Sequence, residues 1–81
     1  MEVIIMVFEK VKKSIIDIMG IPEDEILVKS HLYDDLDADS LDLSQIILEL
    51  ENSYKIEIEN EDISDFETVE DIVKHVESKL S

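Results

Sequence analysis

The chain contains no cysteine, no tryptophan and no arginine, and has one glycine and one proline in 81 residues. Each absence excludes something. Without cysteine there is no disulfide, no thiolate zinc site and no thiol nucleophile. A single glycine cannot build a glycine-rich phosphate loop. So few turn residues also disfavour an all-β chain of tight hairpins. Seven lysines face 22 Asp and Glu, leaving a net charge of −15. Nucleic-acid binding needs a basic face against phosphate, so that class is set aside. Peripheral anchoring on anionic lipid is disfavoured on the same ground. The run Val3-Ile4-Ile5-Met6-Val7-Phe8 is too short to span a bilayer, and lysines follow it rather than precede it, unlike a signal core. The expectation is a cytoplasmic protein with no membrane partner.

What is present points to a small helical domain. The hydrophobic share of 44% exceeds that of an acidic disordered tail. The length implies one domain over residues 1–81. Charge is unevenly placed: residues 1–22 sum to zero, whereas residues 34–71 hold fifteen acids and one base, Lys55. Such density repels itself and suits partners, or cations, that present positive charge.

Helical periods define the elements. Phe8, Val11, Ile15 and Ile18 mark one face of a helix over roughly residues 4–19, ended by Gly20 and Pro22. Residues 21–38 show no sustained period, and Ile26, Leu32 and Leu36 are expected to tack this loop to the core. A second helix starts near Asp39 or Ser40, with Asp39 as cap and Asp42 as its acidic partner. Leu43, Ile46, Ile47, Leu50 and Tyr54 fall within roughly a 100° arc and form its core stripe. Ile56 to Glu59 reads as extended, and Asn60 is expected to cap a short turn through Ile63. Thr68 to Asp71 resembles a capping box, followed by a stripe of Val69, Ile72, Val73, Val76 and Leu80. The fold class is all-α: a small four-helix bundle of three longer helices and one short one, with a long first loop.

Leu41 and Leu48 lie on the opposite side of the second helix from its core stripe. Either they form a contact surface flanked by acids, or the long loop folds over them. The run from Asp34 to Asp42 opens with the spacing of a calcium loop at Asp35, Asp37 and Asp39, but Ser40 stands where Gly is needed and Ile46 where a bidentate Glu is needed. No metal site is expected. His31 and His75 sit in no nucleophile, base and orienter pattern. His75, four residues after Asp71, reads as a surface pair with it. Ser40 by itself reads as a helix-start residue. No catalytic residue is named, and the chain is not read as an enzyme.

Asp39-Ser40-Leu41-Asp42, preceded by Asp35-Leu36 and opening an acidic helix, resembles the prosthetic-group site of acyl carrier proteins, specifically the discrete type. The likeness extends over Val11-Lys12-Lys13, Leu32-Tyr33-Asp34-Asp35-Leu36, Leu50-Glu51, Tyr54 to Ile58 and Thr68 to Val73. It implies a 4′-phosphopantetheine arm from coenzyme A on Ser40, flanked by Asp39 and Leu41 and installed by a phosphopantetheinyl transferase. It implies thioester carriage of acyl groups, foremost in dissociated fatty-acid synthesis. A specialised pathway such as polyketide assembly is the alternative. An unmodified acidic adaptor and a weak divalent-cation module are the readings from other classes. Partner enzymes with basic patches would meet Leu41, Asp42, Leu48, Glu49 and Glu51, on a monomeric carrier. Leu50, Ile58, Ile63 and Ile72 are candidates for an acyl-chain lining. The family usually has Gly where this chain has Asp37, and often Glu where it has Gln45. Met6-Val7-Phe8-Glu9-Lys10-Val11 resembles the family's customary start, so Met1–Ile5 are expected to add little to folding.

Overall fold

The computed structural model describes residues 2–80, with side chains from Met6 onward. Among the described residues four helices follow in order: α1 (Glu2–Met19), α2 (Ser40–Tyr54), α3 (Asn60–Ile63) and α4 (Val69–Leu80), with a 3₁₀ turn at Glu23–Glu25 inside the first loop. The expectation for Met1–Ile5 concerns side chains outside the described residues. No helix among the described residues is long and apolar enough to cross a membrane.

α1 packs against both α2 and α4. Its buried stripe is Val7, Val11 and Ile15, while Phe8 and Ile18 are only half-buried at its edges. The expected face was therefore turned by part of a helical step. Val7 takes the place of Phe8 at the centre, and the rotation carries Ser14, a polar residue in the stripe, into full burial. Its hydroxyl donates to Glu49 Oε1 at 3.0 Å, which satisfies the buried group. Gly20 ends the helix at φ 70°, its N–H donating to Ile16 O.

The first loop has no period because backbone bonds hold it to the head of α4. Leu32 N–H donates to Glu67 O at 2.7 Å, Val69 N–H to Ser30 O at 3.0 Å and Glu70 N–H to Val28 O at 2.9 Å. Buried Ser30 accepts from Leu27 N–H and donates to Glu25 O. With these groups satisfied, Ile26, Leu32 and Leu36 enter the core as expected.

In α2, Leu43, Ile46, Ile47 and Leu50 are buried and Tyr54 half-buried. Lys55 ends the helix in the left-handed region at φ 57°. α3 begins one residue off expectation: Glu59 holds the cap position, without a side-chain bond, and Asn60 is already helical. At the head of α4, Thr68 Oγ1 accepts from Asp71 N–H, and Asp71 Oδ2 accepts from the N–H groups of Glu67 and Thr68. The expected box is present. Leu80 is 40% exposed, so the last turn runs past the surface it would pack on and the stripe ends at Val76.

Two tests follow from these local geometries. Asp37 has φ 61°, a left-handed conformation that glycine adopts at no steric cost. Asp37→Gly is expected to leave the fold unchanged and shift stability by no more than about 1 kcal/mol, since relief of strain opposes the added entropy of the unfolded chain. Denaturant titration reads it, and a loss well beyond that would mean that the aspartate side chain supports the turn. For Asp71, the N–H of Glu67, then that of Thr68, lowers the carboxyl below its ordinary value of 3.8. A depressed folded-state value means stability present above the unfolded value and lost as pH falls through the folded one. Asp71→Ala should cost about 1 kcal/mol at pH 7, and that gap should close below about pH 4. A gap that persists in acid would place the effect in packing, not in the carboxylate.

Candidate functional site

The head of α2 is built by reciprocal capping. Asp39, extended at φ −105° and ψ 179°, accepts Asp42 N–H on Oδ1 at 2.8 Å. Asp42 Oδ2 in turn accepts Asp39 N–H at 3.3 Å, and Asp39 O accepts Leu43 N–H. The approach is fixed as well: Asp37 makes the left-handed turn, and Ala38 is buried with its N–H on Leu32 O at 2.9 Å. Ser40 is thereby set as the first helical residue and is exposed. Among the described residues its hydroxyl has no hydrogen-bond partner, and the N–H groups of Ser40 and Leu41 have no acceptor. Such unclaimed groups at a helix head favour negative charge beside them.

Leu41 is 65% exposed and Leu48 57% exposed, so the loop does not fold over them. They stand on the outer face of α2 with Ser44, Gln45 and Asn52, all exposed. A shallow groove of about 440 Å³ runs beside Leu48, lined by Gln45, Glu49, Asn52 and Ser53 of α2 and by Ile18 of α1. Leu41, Leu48 and Asp42 thus share or flank one surface. Two acids expected there have internal work. Glu49 Oε1 accepts from Ser14 Oγ and lies 3.8 Å from Lys10 Nζ, tying α2 to α1. Glu51 Oε2 accepts Ile58 N–H at 2.8 Å and pins the chain leaving α2. The sequence offers one signal for the first of these: a serine in the middle of an apolar stripe needs a partner.

Leu50, Ile58 and Ile72 are buried within the core, and Ile63 packs half-buried against it. Among the described residues no group of three or more Asp, Glu or His is placed to hold a metal. Three acids of the calcium-like run accept backbone N–H groups instead: Asp35 that of His31, Asp39 that of Asp42, and Asp42 that of Asp39. His75 does not pair with Asp71, whose carboxylate is committed to the head of α4. Its Nε2 lies 3.6 Å from Asp62 Oδ2, short of a hydrogen bond, and its ring meets Phe66 edge-on at 5.3 Å. His31, which the sequence left without a role, sits at the centre of the turn before the site.

Related proteins give the family. The family model described as "Phosphopantetheine attachment site" matches residues 9–76. Acyl carrier proteins from Clostridium perfringens strains SM101, ATCC 13124 and 13 are each 44% identical over 69 residues, covering 85% of this chain and 91% of theirs. In fold, the chain matches the solution structure of the apo doublet acyl carrier protein from prodigiosin biosynthesis, with a TM-score of 0.81 at 23% identity, over 98% of this chain and 38% of that one. The chain belongs to the phosphopantetheine-attachment family, as an acyl carrier protein. Members are carriers and not enzymes, bear a covalent 4′-phosphopantetheine group, and work with phosphopantetheinyl transferase and acyl-handling enzymes.

Proposed function

We propose that Ser40 is the attachment residue and that this single carrier domain serves dissociated fatty-acid synthesis. The observation that supports it is a serine with an unbonded, exposed hydroxyl, held by the Asp39–Asp42 box at the head of α2. Ser14 and Ser30 are buried and bonded, and Ser64 and Ser78 donate to nearby carbonyls. The site fits the group. The unclaimed N–H groups of Ser40 and Leu41, at the positive end of the helix, would suit the negative charge of a phosphodiester on the serine. Asp39 and Asp42 oppose that charge, but each carboxylate is engaged by a backbone N–H. The group supplies the terminal thiol on which acyl chains ride as thioesters, and the chain has no thiol of its own.

The chain's own part is to present and to shelter. Leu41 and Leu48, with Asp42 beside them, offer partners an apolar patch in an acidic surround, suited to enzymes with basic docking faces. Glu49 and Glu51 add negative charge at the flanks while holding their internal bonds. Leu50, Ile58, Ile63 and Ile72 would line the space that an acyl chain opens in the core. The strong negative charge keeps copies apart and supports a monomer, away from nucleic acid and anionic membrane, and the bacterial relatives support a cytoplasmic location. The 44% identity to acyl carrier proteins, over 91% of their length, supports fatty-acid service, the family's typical role.

The test is incubation with coenzyme A and a phosphopantetheinyl transferase, read by intact mass. One phosphopantetheinyl group per chain is expected. No gain under conditions that load an authentic carrier would overturn the proposal.

A further inference from the structure

We propose that His31 is a positioning residue of the carrier site: its neutral imidazole caps the turn leading into α2, and proton uptake there loosens the backbone that presents Ser40. The proposal rests on Ser40 as the attachment residue.

The turn is organised around one side chain. His31 Nδ1 accepts the N–H groups of Tyr33 at 3.3 Å and Asp34 at 3.2 Å. A ring nitrogen that accepts cannot also carry a proton, so the ring is neutral with its hydrogen on Nε2. The backbone of His31 closes the same turn. Its N–H donates to Asp35 Oδ2 at 2.7 Å, and its carbonyl accepts from Asp35 and Leu36, both at 3.0 Å. The arrangement resembles a capping box, with an imidazole as the cap and the reciprocal carboxylate one residue later than usual, on Asp35.

Two backbone bonds link this cap to the site: Leu36 N–H to His31 O, and Ala38 N–H to Leu32 O. Asp39 follows directly and caps α2. On its other side His31 forms an isolated antiparallel bridge with Thr68, beside the Leu32 to Glu67 bond. Serine, threonine or aspartate would hold such a turn with an acceptor that stays an acceptor at neutral pH. Histidine is the cap that one proton converts into a donor.

The surroundings decide what the proton does. Asp34 Oδ2 lies 3.8 Å from Nδ1 on an 83% exposed side chain. Asp35 is committed to the His31 N–H. The Tyr33 ring lies 6.2 Å away and tilted. From the head of α4, Thr68 brings no charge and Glu67 approaches through its carbonyl. A protonated Nδ1 repels the two N–H groups and finds its acceptor in the Asp34 carboxylate. Turning towards that carboxylate draws the ring off the turn.

The test uses the unmodified full chain, with nitrogen-resolved NMR from pH 8 to pH 5.5, the interval in which histidines change charge. The probes are the His31 ring nitrogens and the exchange protection of the Tyr33 and Asp34 amides. His31→Asn replaces Nδ1 by a carbonyl oxygen, an acceptor that does not titrate, and His31→Ser is a second such cap. His75 stays in place in all three proteins, and its resonances report its own titration. The parent should show the Nε2–H form at pH 8. Its protection at the two amides should fall about tenfold in step with His31, as two modest hydrogen bonds are lost. In the variants the fall should be less than about twofold, since nothing at the cap titrates. Loading of Ser40 by the transferase, taken as the parent-to-variant rate ratio, should fall over the same interval. Flat protection in the parent, or an equal fall in the variants, overturns the proposal. Protection that falls as expected while none of the three proteins is ever loaded defeats Ser40 as the attachment residue and, with it, the positioning role, leaving the cap as a feature of the turn alone.

Discussion

Ser40→Ala is expected to abolish phosphopantetheine loading and to leave folding intact. The hydroxyl makes no bond within the protein among the described residues, so its removal orphans nothing. The capping box next to it uses Asp39 and Asp42 and survives. Alanine is the better helix former, and an exposed first-turn change of this kind stays within about 0.5 kcal/mol. The loss of loading should be complete, because no other serine shares the setting. Ser44 and Ser53 sit on later turns of α2, away from the unclaimed N–H groups. Ser44→Ala is the matched control and should load like the parent. Intact mass and thermal unfolding on both variants read the outcome. Loading of the Ser40→Ala protein would remove the serine from the account.

Two leucines two residues apart should behave as opposites. Leu50 is fully buried between the helices, whereas Leu48 is 57% exposed. Leu50→Ala leaves a cavity in the core and should cost about 2–5 kcal/mol of stability. Leu48→Ala should change stability by less than about 0.5 kcal/mol. Its effect should appear with a partner enzyme: burying that side chain on docking contributes about 1.5–3 kcal/mol, so affinity should drop roughly tenfold or more. The loss should lie in dissociation, while rising salt should slow association of every variant as screening shortens to about 8 Å. Gln45→Glu adds charge on the exposed face without touching an internal bond and should speed association. Glu51→Lys is a poorer probe, because it also removes the acceptor for Ile58 N–H. If Leu48→Ala unfolds the protein, or binds and reacts like the parent at every salt concentration, the outer face of α2 is not the docking surface.

The legible parts of the sequence were those written in side-chain periods and caps. The stripe of α2 and the Asp39 and Thr68 boxes form as their spacing implies, and Leu41 and Leu48 stand outside the core because their helical phase puts them there. Residues 21–38 were opaque because their order comes from backbone bonds to Glu67, Val69 and Glu70, which no side-chain pattern records. The face of α1 is ambiguous by half a step because Val7 and Phe8 are both apolar, and Ser14 on the buried side is polar but satisfied by Glu49. The acids were hardest to read. In a chain with 22 of them, composition does not separate Glu51, which holds the exit of α2, from acids left free for a partner. His31 fits no catalytic pattern, and its work as the cap of a turn leaves no spacing signal in the sequence.

The most direct measurement is fragmentation of the transferase-loaded parent protein by tandem mass spectrometry, to place the added group on one residue. The account predicts a single covalent phosphopantetheine on Ser40. A group found on Ser44, Ser53 or any residue other than Ser40 would contradict it.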